Sequence, residues 1–436
     1  MAYDVMVIGG GIAGMEASLT LGDAGYNVLL VEKTPSIGGN MIELSKVFPT
    51  LDCAGCITTP KMAATAIHPN VTIMSYCEIQ EVYKEEEGKF RIKILKKPWY
   101  VDLNACIGCQ RCEQVCPVYI PKEYEYGMIG RKAAYVAFEM ASPRKALIDL
   151  DHCILCGRCE RACPTEAIDF LQEPETLEEE VKSVIIATGF RPFDATEKTE
   201  FGFGKYKNVI HALQMERILA PSRPYSEVLR PSDGKVPDNI AFVLCVGSRD
   251  KSLGFPICSR VCCMYTIKQA ILFTSDLPLA DATIYYMDIR AFGKGFEEFY
   301  NMAEDMGLMF KKGRVAKIEE KENHNLIIRS ENIGEGTIEE DEYELVVLAI
   351  GLRPNSEIVN VFTNSEIEVD ELGFFKPAKE STNPVVTKTK GVFVAGCASG
   401  PKDIPDTVAE ANAAATQCID YIYEVGAKIM TTSQER

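Results

Sequence analysis

Two cysteine runs of identical spacing dominate the middle of this chain: Cys106-x2-Cys109-x2-Cys112-x3-Cys116-Pro117 and Cys153-x2-Cys156-x2-Cys159-x3-Cys163-Pro164. A backbone that presents a thiolate every third residue wraps three of them around one iron–sulfur cubane. The fourth, beyond the wider gap, reaches a second cubane. The spacing therefore assigns Cys106, Cys109, Cys112 and Cys163 to one [4Fe–4S] cluster, and Cys153, Cys156, Cys159 and Cys116 to another. Zinc or disulfides are the competing uses of eight cysteines. Two complete runs in a chain with no visible export signal weigh against both. Histidine is scarce: the chain has 17 Cys and only four His, at 68, 152, 211 and 324, with no spaced pair among them. Thiolate-bound iron is the chemistry this pattern suits.

All eight of these cysteines lie in residues 101–172. Composition shifts at about Trp99, and a charged, proline-bearing stretch at 173–180 leads out. At 436 residues the chain should divide into two or three domains. Before the cysteines, residues 4–8 read as a buried parallel strand, about 14–24 as a helix and 27–32 as a second strand, the opening of a βαβ unit. Residues 71–97 alternate apolar and polar like half-exposed antiparallel strands, with a hairpin turn at 85–88. After the cysteines, 183–188 returns to a buried strand, 239–246 is another, and a helix follows near 262–275. Residues 283–288 and 315–350 are expected to continue an α/β pattern. A strand at 391–395 precedes a helix over about 404–424.

Between the first strand and helix stands Gly9-x-Gly11-x-x-Gly14. Gly9 permits the tight turn, Gly11 lets a pyrophosphate approach, and Gly14 allows close helix–strand packing. The helix N-terminus offers N–H groups and positive potential. Glu32 ends the second strand, where a carboxylate takes ribose hydroxyls. A lone glycine triad is weak, but strand, helix and Glu32 together make a dinucleotide site. Farther on come Gly38-Gly39, Ala187-Thr188-Gly189 with its echo Ala349-Ile350-Gly351, and Gly391-Val-Phe-Val-Ala-Gly396.

This set resembles the flavoproteins of the glutathione and thioredoxin reductase type, in which the first site binds FAD. The resemblance, which covers the chain outside residues 101–172, implies an α/β fold of two nested Rossmann-like nucleotide-binding domains, and the cysteine runs imply an inserted α+β bacterial-type 2[4Fe–4S] ferredoxin domain. It divides the chain into an FAD domain in three parts (1–100, 173–235 and 346–436), the ferredoxin insert (101–172) and a second Rossmann-like domain (236–345). Its FAD contacts fall on Gly9, Gly11, Ala13, Gly14, Glu32, Lys33, Gly39, Ala187, Thr188, Gly189, Gly396 and Cys397. It also implies that the helix after Gly396 points its N-terminus at the flavin ring, where positive potential favours a reduced, anionic flavin. Two departures stand out. Cys397 replaces the Asp usual after the last glycine. The second nucleotide strand runs into Cys245-Val-Gly247-Ser-Arg-Asp250 with one glycine, which argues against a working NAD(P)H site.

Other cysteines remain. Cys245-x12-Cys258-x3-Cys262-Cys263 could hold a further cubane of unusual spacing, or its members could pack as small apolar groups. Cys53-x2-Cys56 could be a redox disulfide, a ligand pair completed by another chain or domain, or a simple turn. Cys77 and Cys418 read as structural. The string Phe48-Pro-Thr-Leu-Asp-Cys53-Ala-Gly-Cys56-Ile-Thr-Thr-Pro-Lys61-Met62, the doubled cysteine run, and Cys245–Asp250 leading to Cys258-Ser-Arg-Val-Cys262-Cys263-Met-Tyr together resemble the A-type polypeptide of heterodisulfide reductase, through essentially the whole chain.

In that family FAD sits in a thioredoxin-reductase-like core, ferredoxin domains feed or drain it, and partner subunits reduce a disulfide. The longer members are linked to flavin-based electron bifurcation. The resemblance implies an atypical third [4Fe–4S] cluster on Cys245, Cys258, Cys262 and Cys263. It also implies an acidic residue and a lysine beside the flavin ring, best matched by Glu216 and Lys268. The competing reading of both is the solvated face of an amphipathic helix. This sequence starts at the FAD strand and ends after the closing helix, so the extra N-terminal domain and the C-terminal ferredoxin domain of the long members are not on it. Both departures weaken the bifurcation reading.

Three functions compete. The first is an electron-transferring flavo-iron–sulfur subunit of a heterodisulfide-reductase-like complex. Its expected partners are B- and C-type subunits, a hydrogenase or dehydrogenase that feeds in electrons, ferredoxin, or a second copy in a homodimer. The second is an NAD(P)H-dependent ferredoxin-type oxidoreductase. The third is a scaffold whose clusters are structural. A net charge of -17 repels phosphate backbones and argues against nucleic acid. With no leader and no run of about 20 apolar residues, the expected location is the cytoplasm.

Overall fold

The computed structural model describes residues 3–434, with side chains through residue 427. The chain folds into two compact units, one gathering Met1–Ile42, Thr58–Phe190 and Pro354–Arg436, the other Glu43–Ile57 and Arg191–Arg353.

The first unit is built on five short strands, four of them buried along their whole length, as parallel strands covered on both faces are. Val5–Ile8 is wholly buried. It lies between Ser183–Ile186 and Val28–Glu32, with Val5 opposite both Ser183 and Val28. Val71–Ser75 extends the sheet beyond Val28–Glu32, and Val392–Val394 closes its other edge against Ser183–Ile186. The helix Ile12–Asp23 buries Met15, Ala17 and Leu21 against this sheet. The long helix Ile404–Gln434 joins it through Asn412, which accepts from Thr20 at 2.6 Å and donates to Glu16 at 3.0 Å.

A second, antiparallel sheet carries the cysteine-rich segment. Cys77–Glu86 turns through Glu87-Gly88 into Lys89–Lys96, as the alternation predicts. Lys89–Lys96 then pairs with Glu175–Val181, Lys96 opposite Glu175. The chain therefore leaves and re-enters on neighbouring strand ends, and residues 97–174 hang between them. That segment has its own small core of Trp99, Val101, Ala134, Leu147 and Ile148 with the cysteines among them. Its regular structure is slight: two five-residue helices, Arg111–Val115 and Arg158–Ala162, and two-stranded ladders. Arg131, bound to Glu123 at 2.5 Å and Asp149 at 2.8 Å, ties its middle together.

The second unit is a seven-stranded sheet. Val209–His211, Leu345–Ile350, Asn239–Val246, Asp281–Tyr286 and Met309–Glu320 run parallel in that order. Leu326–Asn332 and Thr337–Tyr343 continue it as an antiparallel meander. Residues 315–350, expected to keep an α/β alternation, thus hold strands alone. Val315, Ile318, Leu326, Ile328 and Tyr343 are buried on one face while Glu and Lys cover the other, and no apolar stripe of helical period exists there. Near the C-terminus the strand Val392–Val394 does not run straight into the last helix. A short 3-10 turn, Gly396–Ser399, intervenes, and the helix starts at Ile404, where Asp403 accepts the Asp406 N–H at 2.9 Å. No described helix is long and apolar enough to cross a membrane.

Candidate functional site: a dinucleotide cradle and three cysteine quartets

The glycine turn is forced by contacts that exclude a side chain. Gly9 has φ +107°, and a Cβ there would lie 2.4 Å from the Ala187 carbonyl oxygen. A Cβ on Gly14 would stand 1.8 Å from the Gly9 carbonyl oxygen, so this glycine lets the helix sit on the turn. At Gly11 a Cβ would meet only the Gly39 Cα, at 3.8 Å, which leaves open space over the turn. Gly39 itself has φ +55° and backs onto Gly11. A Cβ on Gly396 would lie 3.0 Å from that of Ala13. Four distant stretches, at 9–14, 39, 187–189 and 396, therefore converge on one helix N-terminus that no side chain caps.

Two observations test whether a dinucleotide fits. The cradle is open where a Cβ would close it, at Gly11. Thr188 Oγ1 is buried with no partner among the described residues, and an orphaned hydroxyl is costly unless a ligand meets it. Glu32 is buried at its strand end. It accepts the Gly10 N–H at 2.7 Å on one oxygen, and the Thr34 N–H and hydroxyl, both at 2.8 Å, on the other. A carboxylate has about four acceptor positions, so room for a ribose hydroxyl remains. Thr34 and Asn355, which donates to the Thr188 carbonyl at 2.8 Å, were not legible as site residues. Lys33 is exposed. Cys397 is buried, and burial raises its thiol above the ordinary range. Lys402 closes this corner, its ammonium on the Gly396 carbonyl at 3.1 Å and facing Glu410 at 3.3 Å.

The eight paired cysteines line two small hollows. Cys106, Cys109, Cys112 and Cys163 line one. Cys116, Cys153, Cys156 and Cys159 line the other. Each set takes its last member from the opposite run. The two runs repeat each other in detail: Gly108 and Leu155 have φ +66° and +52°, and Gln110 and Gly157, one step before each helix, have +62° and +66°. These left-handed residues turn backbone N–H groups inward. Leu155 donates to Cys153 Sγ at 3.4 Å and Ala167 to Cys163 Sγ at 3.3 Å. Burial pushes the Cys112 thiol up to about 12 and raises Cys159, neighbouring thiolates adding to both effects. Burial acts on Cys163 too, but the backbone N–H groups of Ala167 and Thr165 hold it below the ordinary range. A thiolate buried at these positions would need a positive charge beside it, and bound iron would supply one.

Cys245, Cys258, Cys262 and Cys263 also come together, at the end of the strand Asn239–Val246 and the first turn of the helix Cys262–Asp276. Burial raises Cys245, Cys262 and Cys263, the last to about 12, and each of the three is raised further by other members of the set. Cys245 and Arg260 sit at φ +63° and +64°, and the Arg260 N–H reaches Cys258 Sγ at 3.2 Å. Arg249 bonds Cys245 and is clamped by both oxygens of Asp288 at 2.8 and 2.7 Å. Cys77 and Cys418 lie buried in the apolar clusters of the first unit, Cys418 donating to Ser183 at 3.1 Å.

Glu216 and Lys268 are not on a solvated face: they are 2% and 1% exposed. They bond each other at 2.5 Å. Glu216 also accepts from Gln269 at 2.6 Å and from the Ser45 N–H and hydroxyl at 2.9 and 2.6 Å. Lys268 also donates to the Lys46 carbonyl at 2.8 Å. Burial lowers the lysine's pKa, and the Glu216 carboxylate partly restores it.

Residues 4–52 match a family described as FAD dependent oxidoreductase, and residues 102–167 one described as 4Fe-4S dicluster domain. These matches support FAD and [4Fe–4S] clusters as cofactors. The thioredoxin reductase of T. acidophilum superposes with a TM-score of 0.55 over 97% of this chain and 99% of its own, at 14% identity, a likeness of fold. The chain is 49% identical to the second iron-sulfur A-type polypeptide of CoB–CoM heterodisulfide reductase from Methanopyrus kandleri, over 94% of this chain and 63% of that protein. It is 45% identical to the A-type polypeptide of H(2):CoB-CoM heterodisulfide,ferredoxin reductase from Methanothermobacter marburgensis, with the same coverage. It thus spans a little under two thirds of these relatives' length. Over that shared span, the chain is a homologue of the A-type polypeptides of heterodisulfide reductase.

Proposed function

We propose that this chain is the electron-transferring flavo-iron–sulfur subunit of a heterodisulfide-reductase-like complex, where it splits or merges electron pairs. One observation carries this reading: a single chain combines a four-sided dinucleotide cradle with two cysteine quartets, each around its own hollow. Bound FAD supplies the junction between two-electron and one-electron chemistry, and each cubane carries one electron. Gly9, Gly11 and Gly14 hold the diphosphate, Glu32 the ribose, and Thr188 offers its free hydroxyl. The two quartets hold two [4Fe–4S] clusters within an inserted ferredoxin module. Cys245, Cys258, Cys262 and Cys263 hold a third in the second of two nested nucleotide-type domains. Glu216 and Lys268 form a buried, fixed charge pair, the acidic residue and lysine of the family pattern. B- and C-type subunits and a partner that feeds in electrons complete the complex in the cytoplasm.

The nicotinamide alternative is disfavoured. The single glycine after the second nucleotide strand, Gly247, faces the Phe193 ring, where a Cβ would come within 2.3 Å, so an aromatic side chain fills the place a phosphate would take. The test is an anaerobic preparation. It should carry FAD absorbance and at least about eight iron atoms per chain, and neither NADH nor NADPH should bleach it. A colourless protein, or one holding zinc, overturns the proposal. An EPR-monitored titration would then count clusters, and widely split flavin potentials would extend the reading to bifurcation.

A further inference from the structure

We propose that Cys53 and Cys56 form a redox-active dithiol, separate from the three quartets, that exchanges with low-molecular-weight disulfides. Cys53 immediately precedes the helix Ala54–Ile67, and Cys56 lies in its first turn. Residues three apart on a helix stand side by side. The Cys56 N–H donates to Cys53 Sγ at 3.3 Å. The two side chains are also hydrogen-bonded to each other, which raises the Cys56 thiol above its ordinary range. Cys53 is half-buried and Cys56 exposed, so a small ligand reaches the pair.

The pair rests on a stiff frame. Lys46 pairs with Cys53 across a short antiparallel bridge, Val47 N–H bonds the Asp52 carbonyl at 2.9 Å, and Ala54 N–H bonds the Ser45 carbonyl at 3.2 Å. Ser45 and Lys46 are in turn the two residues that bond Glu216 and Lys268. The thiols are therefore held in register by a buried charged anchor, the kind of preorganisation thiol–disulfide exchange rewards.

The step balances without an outside reagent. One thiolate attacks a sulfur of the ligand, whose S–S bond breaks and releases one thiol. The second cysteine then attacks the mixed disulfide and releases the other thiol. The protein pair loses two electrons and two protons, and the ligand disulfide gains them. Excess thiol runs the exchange backwards.

Trypsin isolates the pair, because Val47–Lys61 contains no other cysteine and no internal Lys or Arg. The full holoprotein, kept under argon, is equilibrated in glutathione buffers of rising oxidised fraction, alkylated, and read by mass spectrometry. The expected result is a reversible passage of this peptide from two alkylated thiols to an unalkylated disulfide, two hydrogens lighter than the free dithiol, with iron and flavin contents unchanged. In Cys53→Ser the remaining Cys56 should accumulate as a glutathione mixed disulfide. Alkylation of both thiols in every buffer overturns the proposal. So does a pair that resists alkylation until metal is removed, which would make it a ligand pair instead.

Discussion

Double variants of the cysteine runs separate nearness in sequence from nearness in space. Cys112 and Cys163 are far apart along the chain yet line one hollow, while Cys112 and Cys116 are one helical turn apart yet line different ones. Replacing Cys112 and Cys163 together with Ala removes two ligands from one cluster. The expected loss is about four of the roughly eight irons of this segment, with the second cluster's signal left as an isolated spin. Replacing Cys112 and Cys116 with Ala removes one ligand from each, so both signals should change and iron should fall from both sites. The assay is iron and sulfide content beside EPR of the dithionite-reduced protein, in which spin coupling between the clusters reports whether both are present. If Cys112→Ala/Cys116→Ala left one cluster untouched while Cys112→Ala/Cys163→Ala disturbed both, each run would bind its own cluster and the crossed assignment would be wrong.

Three other variants probe the rest of the molecule. Gly14→Ala places a Cβ 1.8 Å from the Gly9 carbonyl oxygen, so the flavin-to-iron ratio should fall sharply while the ferredoxin EPR signals persist. Glu216→Ala strands the Lys268 ammonium with only the Lys46 carbonyl as acceptor. It should destabilise the protein by about 3–5 kcal/mol, and an apolar pair at both positions should recover most of that in anaerobic denaturation. His211 accepts the Gln214 N–H at 3.2 Å as a helix cap, and burial lowers its pKa to about 4. Its folded value lies below the unfolded one, so its contribution is whole above about pH 6.5 and shrinks as acid is added, by up to about 1.4 kcal/mol per pH unit down to about 4. In His211→Asn, which keeps a capping acceptor, that part of the acid slope should disappear from thermal midpoints measured between about pH 6.5 and 5.

Legibility in the sequence followed the range of the interactions. Gly9, Gly11 and Gly14 act on each other within one turn, and the cysteine spacing encodes its own wrapping, so both sites could be read locally. Glu32 was legible from its place at a strand end, but its partner Thr34 was not, because many residues can donate there. Burial of Glu216 and Lys268 depends on Ser45 and Gln269 closing around them, a tertiary fact that helical periodicity cannot carry. The meander within 315–350 was hidden by Glu and Lys on its outer face, which resemble a charged helix surface. The start of the last helix at Ile404 was legible, because Asp403 followed by Pro405 marks a helix N-terminus.

The order in which strands meet the central sheet sets a timetable for synthesis. Its edge strand Val392–Val394 is translated some two hundred residues after its neighbour Ser183–Ile186, and the unit holding Glu43–Ile57 also waits for Arg191–Arg353. Residues 97–174, with a small core of their own between adjacent strand ends, need nothing made later. A nascent chain accordingly completes the cysteine-rich segment while the sheet beside its nucleotide cradle still lacks an edge strand.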